Sequence, residues 1–397
     1  MFVCPNCFED MDLQSFVEDE AVSDKCDFCG ARSGQPIAAP LETVAEHIAE
    51  YLEFEYTDPA NSGLPYESAE GGYQGTVWTT EELLRDEIEL ELPRDNDGRL
   101  FETLAAAIDD LPDGVGFWAE RDPFGLPEQD QLRISWESFT QFVMHQRRFF
   151  FRKADLPQEA YEDPDLLAPD ELLKRIAQRA IDVGLIERLP AGTRIYRARR
   201  QGLGVAHATA EALGPPPPES ATQNRMSPAG IPMFHGAEDP DTAVVEIYRD
   251  PGDYAVGEFV TTRDAWILDL HSVPAVPSFF SKTHGWERHA LIFLRTFAKE
   301  VSKPIARDDS VHIGYVPTQV LTEYFKTQVT YDGSRIEGVS FMSSRTGRRN
   351  YTLFLPKGQA DPHLGGEAVR TEPLLRLELA TVVRRDEDEP HPQQDMP

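Results

Sequence analysis

The chain has 397 residues, 40% of them hydrophobic and 27% charged, which is enough for two or three domains with separate cores. Its net charge of −31 makes a surface that repels phosphate backbones, so nucleic acid is not an expected partner, although a locally basic pocket could still hold a small phosphorylated ligand. No apolar run reaches the length of a membrane span, and the MFVCPNC start lacks the basic and apolar regions of a signal peptide, so no membrane partner and a cytoplasmic location are expected.

In chain order, the first feature is cysteine spacing. All four cysteines fall in the first 29 residues, as Cys4-x2-Cys7 and Cys26-x2-Cys29 with eighteen residues between the pairs. Two such pairs form the knuckles of a zinc ribbon, whose four thiolates close a tetrahedral site. Two disulfides would need an oxidising compartment that nothing else in the sequence supports, and an iron–sulfur centre is the remaining thiolate alternative. The expectation is a structural Zn2+ on Cys4, Cys7, Cys26 and Cys29, within a ribbon over residues 1–36.

Residues 40–152 read as an all-α, acidic domain. Leu41, Val44, Ala45, Ile48 and Leu52 follow helical spacing, residues 57–76 read as a loop, and helical patterns resume at 80–91, 99–111 and 135–152. The last ends in the aromatic run RRFFF and carries His145 and Arg148, which are expected to be snorkelling cations. Residues 153–170, rich in Pro, Asp and Glu, read as a linker. A helix is expected at 170–187, followed by short strands with Gly and Pro breaks, two further helices, and a hairpin with Gly347 near its turn. Residues 171–383 therefore read as α+β, and 384–397, almost without apolar residues, as a disordered tail.

Within that region, one glutamate stands in an apolar run, Ala243-Val244-Val245-Glu246-Ile247-Tyr248. The preceding DPDT is a helix start: Asp239 can cap, Pro240 suits the first helical position, and Asp241 complements the dipole. Glu246 then shares a face with Ala243 and Ile247, so its carboxylate either reaches solvent at an edge or is held at a cavity. Arg197, Arg225, His235 and Ser343 also stand at the ends of expected strands, and each alone has an ordinary structural explanation. GxGxxG, P-loop, GxSxG and HExxH patterns are absent, and His284 and His289 have the wrong spacing for a metal pair.

Taken together, RIYRAR, NRMSPAGIPMFHGAEDPDTAVVE, GYVPTQVLTEYF and GVSFMSSRTGRRNYTLF, spread from Thr193 to Phe354, resemble the RES domain family. The resemblance implies a fold like the ADP-ribosyltransferases and action on NAD, either by hydrolysis of the nicotinamide–ribose bond or by ADP-ribosyl transfer. It also implies a toxin or defence-type effector, often restrained by an inhibitory antitoxin. Longer members carry a zinc ribbon and a helical HEPN-like region, to which residues 1–152 are similar. By match to the family motifs, Glu246 would stabilise the oxocarbenium-like transition state, Arg225 and Arg197 would hold the pyrophosphate, and Ser343 would bind the ribose or the nicotinamide amide. His235 stands where the family usually has tyrosine, and its imidazole adds an expected pH dependence near neutrality. The alternatives are a HEPN-type ribonuclease, for which His145 and Arg148 come in reversed order, or a non-catalytic RES binding module.

Overall fold

In a computed structural model of the chain, the described residues are all except 70, 113, 152–162, 164, 203–208, 283–284, 304–310, 356–372 and 386–397. They form two compact units: Met1–Gln129 with Ala275–Ala290, and Asp130–Pro274 with Leu291–Pro397. The first unit is therefore discontinuous in sequence.

In the first unit, α1 (Met11–Asp19) is capped by Asp10, whose side chain accepts from the amides of Asp12 and Leu13. Helix α2 (Leu41–Glu55) buries Leu41, Val44, Ala45, Ile48 and Leu52, the residues its periodicity marks. The region is not all-α: β1 (Tyr56–Thr57), β2 (Trp78–Thr79) and β3 (Phe117–Glu120) make a small sheet of order β1-β3-β2. Two of these strands have only two residues and so no alternation to read. The helix expected over 80–91 is one turn, Thr80–Glu82, continued as a π-turn over Leu83–Glu87 and ended by Glu89 at φ 53°. Helix α3 (Arg99–Asp109) packs against α2 and buries Leu100, Leu104 and Ile108. Phe279 and Phe280, from the distant segment, sit in this same core, and Ser278 Oγ donates to Asp10 Oδ2 at 2.6 Å.

In the second unit, α4 (Glu128–His145) stops seven residues short of the expected end. The amides of Gln146 and Arg147 both turn back to the Phe142 carbonyl, and Phe149 and Phe150 are 85% and 73% exposed rather than helical core. Helix α5 (Pro169–Asp182) ends at Gly184, φ 78°, with Leu185 N–H bonded to Ala180 O and Gly184 N–H to Ile181 O. This is a Schellman stop, in which a left-handed residue frees the chain to leave the helix axis. The last two residues of the helix expected over 170–187 belong instead to strand β4 (Ile186–Leu189).

Then follow β5 (Arg194–Arg200), β6 (Phe234–Ala237), α6 (Pro240–Ile247), β7 (Gly252–Thr261), β8 (Ala265–Asp269), α7 (Trp286–Ser302), α8 (Val316–Gln328), β9 (Ser334–Met342), β10 (Arg349–Leu353) and β11 (Leu375–Arg385). The strands form a mixed sheet of order β11-β7-β5-β6-β10-β9-β8-β4, with Thr330–Tyr331 paired to β9. Among the described strands, only β8 and β9 pair in parallel. One face buries Ile195, Phe234, Phe259, Ile267 and Leu353, and the other buries Ala198, Ala237 and Tyr254 under Ala243 and Val244 of α6. His235, expected at the end of a strand, lies inside one, Phe234–Ala237. Arg384 and Arg385, expected in the disordered tail, pair with Asp253 and Gly252, and the rest of that tail lies outside the described residues.

Candidate active site

Helix α6 forms as its start signals predict. Asp239 accepts from Thr242 N–H at 2.8 Å and from Thr242 Oγ1 at 2.7 Å, with Pro240 in the first turn. At the other end, Arg345 donates from its guanidinium to the Val245 carbonyl, a cation closing the negative end of the helix. Glu246 stands in this last turn, partly buried.

Ser343 Oγ donates to Glu246 Oε1 at 2.5 Å, and Asn350 Nδ2 donates to the same oxygen at 2.8 Å. No described residue donates to Oε2. The two donors come from opposite sides of the β9–β10 turn, where Ser343 N–H bonds to Arg348 O and Gly347 adopts φ 70°. Ser343 Oγ in turn accepts from the amides of Arg345 and Thr346, each at 3.2 Å, so its proton is directed to the carboxylate. Asn350 Oδ1 is buried and has no hydrogen-bond partner among the described residues.

Arg225 lies within electrostatic reach of Glu246. Burial pushes its guanidinium pKa down, and the nearby Tyr315 and Glu246 oppose that shift. It donates to the Val301 carbonyl, while its own carbonyl accepts from Thr318 Oγ1 at 2.6 Å. Gln319 Nε2 donates to Asn224 O at 2.8 Å, so the start of α8 fixes the loop that carries Arg225.

His235 is fully engaged. Asn224 Oδ1 accepts from the amides of Met226 and Ser227, which turns its Nδ2 toward His235 Nε2 at 2.8 Å. His235 Nε2 is therefore the acceptor, and Nδ1 carries the proton, facing Thr352 Oγ1 at 3.0 Å. Burial, with the Arg197 charge beside it, pushes the imidazole pKa down to about 3. The expected titration near neutrality is thus not a property of this site: desolvation of the cation outweighs the ring's intrinsic basicity.

Arg197 donates to the His235 carbonyl at 3.0 Å and lies 5.2 Å over the Phe234 ring. Gly236 permits this approach of β5 to β6, since a Cβ there would meet Tyr196 O at 2.8 Å. Burial, and then the charge of Arg199, lowers the Arg197 pKa to about 9. Asn224, Thr318, Gln319, Asn350 and Thr352 all lie within the quoted motifs but were not singled out there; short polar residues become recognisable as a site only once their partners are known.

The four cysteines form a second centre, with sulfur atoms all within 4.8 Å of one another. The separations of 3.8 Å (Cys4–Cys7), 3.4 Å (Cys4–Cys29) and 3.7 Å (Cys7–Cys26) suit the roughly 3.8 Å edge of a tetrahedral thiolate site with metal–sulfur bonds of ~2.3 Å. The chemistry of the donor set fits a structural metal with no open position. His289 instead pairs with Glu55 at 3.3 Å and Gln129 at 3.2 Å, and His284 lies outside the described residues. His145 ends α4 and Arg148 lies beyond it, both exposed, so the two do not share a helix. Among the described residues, no helix is long and apolar enough to cross a membrane.

Comparison with known proteins found no matching curated protein and no matching solved structure. Two family models do match: HEPN/RES N-terminal domain 1 over residues 19–157, and the RES domain over residues 194–376. The RES domain carries a toxin-type, NAD-related function at the level of the family. With both matches in order along most of its length, the chain belongs to the RES family, in the form that bears an N-terminal HEPN/RES region.

Proposed function

We propose that this protein consumes NAD by cleaving the bond between nicotinamide and ribose, with water as the acceptor. The carrying observation is Glu246: Ser343 and Asn350 hold one carboxylate oxygen, and the other is left for a ligand. As the C1′–N bond breaks, its electron pair passes to the nicotinamide nitrogen and the leaving group departs neutral. Positive charge grows on the ribose, as in glycoside hydrolysis, and the fixed carboxylate stabilises it. Water then adds to C1′ and loses a proton, giving ADP-ribose, nicotinamide and one proton.

Asn350 Oδ1, buried without a partner, is available to a ribose hydroxyl or to the nicotinamide amide. In this reading Arg225 and Arg197 receive phosphate oxygens, a role that suits a planar guanidinium. An ADP-ribosyltransferase-like architecture belongs to this reading. So does Zn2+ as the metal on Cys4, Cys7, Cys26 and Cys29, where it would hold the two knuckles together and take no part in catalysis.

The test is NAD loss and product identity with purified protein beside Glu246→Gln. Free nicotinamide and ADP-ribose in equal amounts, lost in the variant, are expected. Equal NAD loss with and without the carboxylate would overturn the assignment, and nicotinamide release only on adding cell extract would indicate transfer to an acceptor instead of water.

A further inference from the structure

Beside the Glu246 site is a cavity of about 420 Å³ that is anomalous for a chain with a net charge of −31. Four arginines line it: Arg197, Arg199 and Arg200 from β5, and Arg249 just after α6. No acidic residue is among the lining groups. Ile247, the neighbour of Glu246, forms part of the wall, and Ser220 and Thr222 contribute hydroxyls.

These charges are not consumed by internal pairing. Among the described residues, Arg200 alone of the four has a carboxylate partner, Asp250 at 2.9 Å. Arg197 and Arg199 project from the same side of β5, two residues apart, and bond only to carbonyls: His235 O at 3.0 Å and Gly214 O at 3.1 Å. The Nε atom of each is buried with no hydrogen-bond partner. Two buried donors of like charge, each lowering the stability of the other, form a site that an anion would relieve. The depressed pKa of Arg197, caused by burial and then by Arg199, reflects the same uncompensated charge.

On the proposed reading of the Glu246 site, a diphosphate bridge carries one negative charge per phosphate, which Arg225 and Arg197 match. That leaves Arg199 and Arg249 in excess. A phosphomonoester, with about 1.5 to 2 negative charges near pH 7 and three acceptor oxygens, is the ligand that such an excess fits. We propose that this cavity receives a phosphomonoester carried on the nucleotide, so that the protein takes a 2′-phosphorylated nicotinamide dinucleotide in preference to the unphosphorylated one.

This inference rests on the NAD-consuming reading, and its test separates the two. Nicotinamide release from NADP and NAD is compared for wild type, Arg249→Gln and Arg199→Gln. Wild type is expected to favour NADP by about tenfold or more in kcat/KM, the value of one charge-assisted contact, and each variant to lower that ratio by about tenfold. Arg249 is exposed, so its replacement does not threaten folding, and Arg249→Lys should restore part of the preference.

A second arm needs no turnover. In the Glu246→Gln background, 2′,5′-ADP is expected to bind about tenfold more tightly than 5′-AMP, with the difference lost on adding Arg249→Gln. Equal use of the two dinucleotides together with equal binding of the two probes overturns the inference and leaves NAD cleavage standing. If neither dinucleotide is cleaved but 2′,5′-ADP still depends on Arg249, the function falls and the cavity assignment survives. Arginine-dependent binding of inorganic phosphate, with no preference between dinucleotides, would identify a free anion as the occupant and overturn the dinucleotide form.

Discussion

Ser343 Oγ donates to Glu246 Oε1 at 2.5 Å, and this bond ties the last turn of α6 to the turn between β9 and β10. Residues 97 positions apart are thereby held at one point. Asn350 adds a second donor from the far side of the same turn. Because both donors act on one carboxylate oxygen, they position Glu246 as a unit. Ser343→Ala and Asn350→Ala should each lower kcat for NAD cleavage by about a hundredfold, the scale of a displaced catalytic group. The double variant should cost far less than the product of the two. Steady-state rates of the three variants decide it; multiplicative losses would mean that the donors act independently.

His235 yields a pH prediction with a definite sign. Its pKa is about 3 in the folded protein against an ordinary value of 6.5, so the unfolded chain binds the extra proton first. Its contribution to stability is complete above pH 6.5 and is lost as pH falls from 6.5 toward 3. Urea midpoints at pH 7 and pH 5 should separate more in wild type than in His235→Gln. Between pH 6 and 8, the rate profile of the wild type should show no step from this residue.

The thiolate cluster predicts one tightly held metal per chain, measurable by elemental analysis. Cys26→Ser should lose the metal and lower the melting temperature of the first unit, because Cys4, Cys7 and Cys26 are buried in the same core as Val3 and Leu13. Full metal content in that variant would contradict the four-sulfur site.

Asp269, 5% exposed, accepts from Ser340 Oγ at 2.7 Å and pairs with Arg349 at 3.1 Å. Arg349 also reaches Glu187 at 2.9 Å and Ser272 Oγ at 2.6 Å, joining β4, β8 and β10 beside Asn350. Asp269→Ala should destabilise the protein by about 1–3 kcal/mol, since it removes the buried acceptor of Ser340 and one of the two carboxylates on Arg349. Chemical denaturation measures this, and a loss under about 1 kcal/mol would show that Glu187 alone suffices for Arg349.

Much of this was legible in one dimension where the signal is local. The cap at Asp239, the apolar stripe of α2 and the cysteine knuckles each depend on residues a few positions apart, and they appear as expected. The run Arg147–Phe151 misled because its composition suits a helix end, whereas the chain turns back at Phe142. His235 misled because an exposed imidazole titrates near neutrality, and only its enclosure by Asn224, Thr352 and Arg197 reverses that.

By itself the sequence determined the helix start at Asp239, the grouping of four cysteines into one cluster and the family motifs, because these follow from spacing along the chain. Tertiary structure alone decided that Asn350 shares the Glu246 carboxylate with Ser343, that residues 275–290 complete the first unit, and that four arginines surround one cavity. The physical reason is the same in each case. Hydrogen-bond direction, desolvation and the summed field of like charges depend on distance in space, and strand pairing sets those distances between residues that the sequence keeps far apart.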